Sequence, residues 1–141
     1  MIGGLENSEF LRYGVMHRNT YINSPSLLDS TYAMKKSNKI FFAGQITGVE
    51  GYVESASSGL VAGINAARRI LGKDIIDFSS ETAIGALSHY VSNGSIVNFQ
   101  PMNVNFGIMA PLNVKIRDKK EKAEAYAARS LLVVDELSRI I

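Results

Sequence analysis

The hydrophobic pattern of this chain changes period several times, and each change predicts an element. Ile40-Phe41-Phe42-Ala43 is a continuous apolar run stopped by Gly44. Such a run suits a strand buried on both faces, as in a parallel sheet. Gly44, Gly48 and Gly51 follow in a predicted loop, and the period then becomes helical over Glu54–Leu71. Leu60, Ile64, Ala67 and Leu71 share one face of that helix, and Gly72 supplies its C-terminal stop. Ser79 or Ser80 can cap a second helix over Glu81–Ser92, with Ile84, Leu87 and Val91 along one side and Asn93-Gly94 at its end. Between Asn98 and Ile108 the period falls to that of a strand. Met102, Val104 and Phe106 alternate there with Asn103 and Asn105, and Pro111 closes the segment. A last helix is predicted over Asp118–Ile141, roughly 35 Å long at about 1.5 Å per residue. Its apolar seam runs through Ala123, Ala127, Val134, Leu137 and Ile141, so it reads as a packing element with a solvated face. Upstream, Glu9–Pro25 reads as a strand and a loop, with Pro25 holding Ser24 extended. Leu28–Met34 predicts a strand and Lys35–Asn38 a turn.

Composition narrows the class. With 141 residues, 46% hydrophobic and 20% charged, the chain matches an ordinary globular domain with a modest core. A net charge of +2 admits an anionic partner without requiring one. No apolar run reaches the roughly 18 residues a membrane span needs. No basic-then-apolar leader follows Met1, so a cytoplasmic setting is expected. Cysteine is absent, which excludes a disulfide framework, a thiolate zinc site and a cysteine nucleophile within these residues. Nothing in the pattern suggests a metal site.

The chemistry concentrates between Ile40 and Arg69. A buried strand, a loop with Gly44, Gly48 and Gly51, and a helix starting near Tyr52 or Val53 place free N–H groups and a positive dipole end at a strand's C-terminal edge. Open α/β sheets bind ligands at that edge. Glycines there permit unusual dihedrals and close approach of a flat or anionic ligand. Gly59 and Gly63 sit inside the helix beside Ala56, Ala62, Ala66 and Ala67, each at a cost of about 1 kcal/mol relative to alanine. They point to a face lying close to another backbone or to a ligand. Residue pattern alone leaves a ligand cradle and tight helix-on-sheet packing equally open. A Walker loop is ruled out by the missing Gly-Lys-Ser/Thr, and the Gly-x-Gly-x-x-Gly fingerprint is absent too.

Phe-Phe-Ala-Gly-Gln-Ile-Thr-Gly-Val-Glu-Gly-Tyr-Val-Glu-Ser-Ala, Phe41 to Ala56, resembles the C-terminal flavin motif of the folate- and FAD-dependent tRNA (uracil-5-)-methyltransferases. The resemblance continues through Gly59–Arg68. It extends back to Arg12–Tyr21, and forward to Thr82–Leu87, Asn98–Gly107 and Arg117–Lys120. It covers nearly the whole chain, in order. The related tRNA wobble-uridine carboxymethylaminomethyl-modifying flavoproteins, once called glucose-inhibited division protein A, share Phe-Phe-Ala-Gly-Gln-Ile and the Gly-Tyr before the helix. Their loop differs around Val49-Glu50, and the words at Met16–Tyr21 and Asn98–Gly107 are not expected in them.

The resemblance implies an α/β fold, the C-terminal part of a Rossmann-like FAD-binding domain with remnants of an inserted α/β domain. Residues 1–25 would close the inserted domain and return, and residues 26–141 would complete the FAD-binding domain with a long terminal helix. The implied reaction moves a one-carbon unit from 5,10-methylenetetrahydrofolate to C5 of a T-loop uridine in tRNA, with reduced FAD completing the methyl group and NAD(P)H as the reductant. Gly44 and Gln45 would lie beside the flavin's ribityl and pyrophosphate portion. Gly48, Val49 and Glu50 are cofactor-binding candidates in the same loop, and Gly51, Tyr52 and Val53 would approach the isoalloxazine ring. His17, Arg18, Asn103 and Asn105 are candidates for folate or RNA. Lys115, Arg117, Lys119, Lys120 and Lys122 form a basic cluster that could meet phosphates or simply be solvated; His89 reads as structural. C5 methylation needs a nucleophile at C6, and the family is understood to use cysteine for it. With no cysteine and no glycine fingerprint, the chain is expected to be a fragment, inactive alone. Its partner would be the missing N-terminal part, and an exposed sheet edge would also let it pair with itself. Two alternatives stand beside this reading: the wobble-uridine flavoprotein, and a non-catalytic flavin- or RNA-binding module.

Overall fold

The computed structural model describes residues 3–9, 11, 14 and 19–141. His17 and Arg18 lie outside the described residues, as does most of the Arg12–Arg18 segment. The elements, in chain order, are α1 (Ser24–Leu27), β1 (Ala33–Met34), β2 (Ser37–Phe41), a 3-10 turn (Gly44–Thr47), α2 (Tyr52–Ile70), α3 (Ala83–Ser92) and α4 (Lys119–Ser138). The fold is mixed: helices around a small antiparallel hairpin.

The expected parallel strand buried on both faces is not what forms. β2 pairs antiparallel with β1 through Ala33–Phe41 and Met34–Ser37. Ile40 is 47% exposed, because within the described residues nothing covers the outer face of this two-stranded sheet. The predicted Leu28–Met34 strand shrinks to β1 and an isolated bridge from Leu28 to Met34. Asp29 is the reason: its Oδ1 accepts from the N–H of Thr31 and from that of Ala33, folding the chain into a turn. No strand forms among the described residues of 9–25, and Pro25 instead starts the short α1.

α2 carries the core. Its inward residues are Ser58, Val61, Ala62 and Asn65, whereas Leu60 and Leu71 of the predicted apolar face stand 53% and 68% exposed. Polar pins fix this rotation. Asn65 is fully buried, donates to the carbonyls of Val61 and Ile76 at 3.1 Å, and accepts from the Ile76 N–H at 2.7 Å. Ser58 Oγ accepts from the Gly44 N–H at 2.7 Å and donates to the Ser55 carbonyl. Against this face pack Leu28, Tyr32, Val49, Ile76, Phe78, Leu87, Val91 and Phe99.

α3 begins two residues later than expected. Its cap is Thr82 rather than Ser79 or Ser80, the Thr82 hydroxyl accepting from the Gly85 N–H at 2.9 Å. Gly85 has no room for a side chain: a Cβ there would meet the carbonyl oxygens of Phe78 and Ser79. α4 is capped by Asp118, which accepts from the N–H groups of Lys120 and Glu121 at 2.9 Å. The predicted seam of α4 holds in part: Leu137 packs against the core, but Val134 and Ile141 are exposed and the buried residue is Tyr126. Tyr126 stacks on Phe106 with centroids 4.8 Å apart, and Arg129 lies over its ring while donating to the carbonyls of Ala110 and Pro111. No helix among the described residues is long and apolar enough to cross a membrane.

Candidate functional site

The turn from Gly44 to Val53 is built by glycine geometry. Gly44, Gly48 and Gly51 have φ of 73°, 83° and 96°. These values lie in the left-handed half of backbone space that residues with a Cβ rarely enter. Gly51 is the N-cap of α2, and no side chain among the described residues caps that end. The turn is anchored from two directions. The Ile22 N–H donates to Ile46 at 2.9 Å, and a parallel bridge joins Val49 to Met102, with Met102 N–H to Gly48 at 3.1 Å and Glu50 N–H to Met102 at 3.0 Å.

The residues singled out from sequence separate into distinct roles here. Val49 is fully buried in the core, so its side chain holds the loop and meets no ligand. The Gly44 N–H is occupied by Ser58. At Gly48, a Cβ would run into the Phe99 ring, which lies directly against the loop. Tyr52 and Val53 are 98% and 76% exposed on the first turn of α2. Gln45, Gly51 and Tyr52 come together with Asn19 and Ser55 around a groove of about 420 Å³. Among the described residues no formal charge lines it. It offers amide and hydroxyl groups, a better match to the ring and polyol part of a cofactor than to its phosphates.

Val53 turns the other way. With Glu54, Ser57, Tyr32, Ile84, Leu87 and Val104 it lines a more apolar groove of about 480 Å³ between α2 and α3. Burial alone pushes the Tyr32 phenol above its usual 10.0. The Glu54 carboxylate folds back over Gly51, where it places a negative charge near the positive end of α2.

Asn103 and Asn105 do not act together. The predicted strand at 98–108 is reduced to the Met102 bridge and a turn at Phe106–Ile108. Asn103 Nδ2 donates to the Glu50 carbonyl at 3.1 Å and so braces the glycine turn. Asn105 is spent locally, accepting from the Gly107 N–H at 2.8 Å. His89 pairs with Asp77 at 2.8 Å on the surface. Lys115, Arg117, Lys119, Lys120 and Lys122 are all exposed, and Lys120 lies 3.9 Å from Glu124. Among the described residues no cluster of His, Asp or Glu could hold a metal ion. Sequence reading did not single out Asn19 and Ser55 at the groove, although both lie in segments that carry the resemblance; only the folded turn brings them to Gln45.

The comparisons with known proteins add a family. Residues 1–74 match the family model described as glucose inhibited division protein A. The chain is 68% identical over 136 residues to the methylenetetrahydrofolate–tRNA-(uracil-5-)-methyltransferase TrmFO of Acetivibrio thermocellus, covering 96% of this chain and 31% of that protein. It is 59% identical over 141 residues to the protein of the same name from Bacillus velezensis, covering 100% of this chain and 32% of the relative. The chain thus spans about a third of the length of the curated relatives it matches. Among solved structures, Aquifex aeolicus GidA superposes with a TM-score of 0.50 at 28% identity, over 82% of this chain and 20% of that one.

Proposed function

The chain belongs to the glucose-inhibited division protein A family, and from that premise we propose that it is the C-terminal part of a methylenetetrahydrofolate-dependent tRNA (uracil-5-)-methyltransferase. The observation that carries this is the glycine turn with its uncapped helix start and neutral polar groove. Identity supports the choice within the family, at 68% and 59% to methyltransferases against 28% to GidA.

The residues fit a flavin's ring side. In our reading Gln45, Ser55 and Asn19 present hydrogen-bonding groups to FAD, and Gly51, at φ 96°, sets the first turn of α2 beside its ring. The free N–H groups of that turn would favour the charge that reduction places on the ring. Bound there, reduced FAD would supply the electrons that turn the transferred one-carbon unit into a methyl group. Asn103, through the Glu50 carbonyl, keeps the turn in place. The C6 nucleophile and the phosphate-binding half of the cofactor site belong to the rest of the protein, because this chain has no cysteine and no glycine fingerprint. Alone, the chain would be inactive.

The reading assigns the chain to a Rossmann-like FAD domain, with NAD(P)H as reductant and the cytoplasm as setting. Ala56, Gly59, Leu60, Gly63, Ala67 and Ile70 form an exposed stripe along α2, and nothing lies within 4 Å of a Cβ placed on either glycine. This stripe is where the remainder of the protein would pack.

The test uses the full-length protein. It should purify yellow and form ribothymidine in tRNA from methylenetetrahydrofolate and a reductant. A colourless protein, or methylation from S-adenosylmethionine, would sink the proposal. Loss of a wobble-uridine modification, with ribothymidine intact, in a deletion strain would transfer it to the other branch of the family.

A further inference from the structure

Beside the glycine turn, and separate from the groove assigned to flavin, a second depression of about 470 Å³ is lined by Tyr21, Asn23, Val97, Asn98, Phe99 and Gln100. No charged side chain among the described residues contributes to it. Tyr21 meets Phe99 edge-on at 6.0 Å between centroids and is 38% exposed. Three carboxamides, Asn23, Asn98 and Gln100, stand exposed around it. Their side-chain amides make no hydrogen bond with another described residue, whereas the Gln100 carbonyl is held by the Tyr90 hydroxyl at 2.9 Å. The frame is therefore fixed, and the amide groups have no partner among the described residues.

We propose that this depression takes an unstacked nucleobase of the RNA substrate, with Tyr21 as the aromatic platform and Asn23, Asn98 and Gln100 reading the base edge. This rests on the tRNA methyltransferase reading above. The chemistry points to a base and away from a phosphate. A carboxamide carries a donor and an acceptor side by side, as a base edge does, whereas an anion would find N–H donors here but no opposite charge among the described residues. Protein recognition of RNA falls mainly on splayed single-stranded bases, stacked on aromatic rings and hydrogen-bonded along their edges. The location fits as well. Phe99 presses on Gly48 of the turn, and the Ile22 N–H donates to Ile46, so the depression and the flavin groove share one rigid frame.

The experiment compares full-length wild type with Asn98→Ala, Gln100→Ala and Tyr21→Ala. It measures bound flavin, flavin reduction by NAD(P)H without RNA, and methylation kinetics against tRNA concentration. Unchanged flavin content and reduction, with KM for tRNA raised about tenfold by each variant, would support the site; base contacts and base stacking carry effects of this order. An unchanged KM for tRNA in all three would overturn it. So would loss of flavin in Asn98→Ala and Gln100→Ala, which would make these amides structural. Asn23→Ala, at an exposed position on a different segment, guards against a local folding defect and should raise KM as well. Failure of the wild type to methylate any tRNA would instead count against the enzymatic reading itself.

Discussion

The glycines of α2 give a prediction whose sign depends on what surrounds them. Gly59 and Gly63 occupy the interior of a 19-residue helix, are exposed, and have nothing within 4 Å of an added Cβ. In the 141-residue chain alone, alanine at either position meets no steric objection. It should recover the helix-propensity deficit of about 1 kcal/mol per site. The double variant Gly59→Ala/Gly63→Ala should then gain about 2 kcal/mol. For a chain of this size that corresponds to a rise of roughly 4–8 °C in Tm. Thermal unfolding by circular dichroism at 222 nm reads it directly. In the full-length protein the same two methyl groups would be driven into a close helix contact, at a cost of about 1–3 kcal/mol. The expected outcome is therefore stabilisation of the chain and destabilisation of the whole. A lower Tm for the double variant in the chain alone would show that this face is already packed. A higher Tm in the full-length protein would show that nothing docks on it.

Four further outcomes are expected. Gly51→Ala forces a Cβ onto a backbone at φ 96°, where it also meets the Glu54 carboxylate; the full-length protein should lose most of its bound flavin, read as the ratio of visible to ultraviolet absorbance. Gly85→Ala pushes against the carbonyls of Phe78 and Ser79, which cannot swing aside as a side chain can. It should cost about 3 kcal/mol, measured by urea unfolding. Asn65→Ala strands the buried N–H and carbonyl of Ile76 and should cost about 2 kcal/mol in the same assay. The Tyr32 phenol titrates above its unfolded value near 10.0, so its contribution is intact below pH 10 and falls as pH rises beyond it. Tyr32→Phe should flatten that alkaline decline relative to wild type, and an unchanged slope would count against the burial argument.

How much of this was legible in the sequence divides by the kind of force involved. Helices α2, α3 and α4 follow from the helical period and came out within a few residues of expectation. The face of α3 came out as expected, with Leu87 and Val91 buried and Ile84 against the core; that of α2 did not, because hydropathy counts Leu60 as core and Ser58 and Asn65 as surface. In the folded chain hydrogen bonds from Gly44 and Ile76 pull those polar residues inward. The same failure recurs on α4, where the anchor is Tyr126 with Arg129 over its ring. The apolar density of Ile40–Ala43 predicts a strand buried on both faces; Ile40 is exposed on the hairpin while Phe41, Phe42 and Ala43 are half-buried against the core, because burial depends on neighbours that local pattern cannot supply. The alternation at Met102–Asn105 survives as half-buried and exposed residues in turn, but Asn105 bends the chain before a strand can extend. The glycine turn was the most legible part of the site, since a positive φ demands a residue without a Cβ. The grooves around it were least legible, being assembled from segments as distant as Asn19 and Ser55, or Tyr21 and Gln100.

The contact between Phe99 and Gly48 also sets a historical order on change. Any side chain gained at position 48 collides with the Phe99 ring. A lineage can therefore enlarge position 48 only if the ring at position 99 shifts or shrinks. Shrinking position 99 first opens a gap beneath Tyr21 and removes a member of the core. Even after that loss, a φ of 83° confines the newcomer at 48 largely to asparagine or aspartate. Descent along this route passes through a less stable intermediate at its first step, so the pair behaves as a single inherited character.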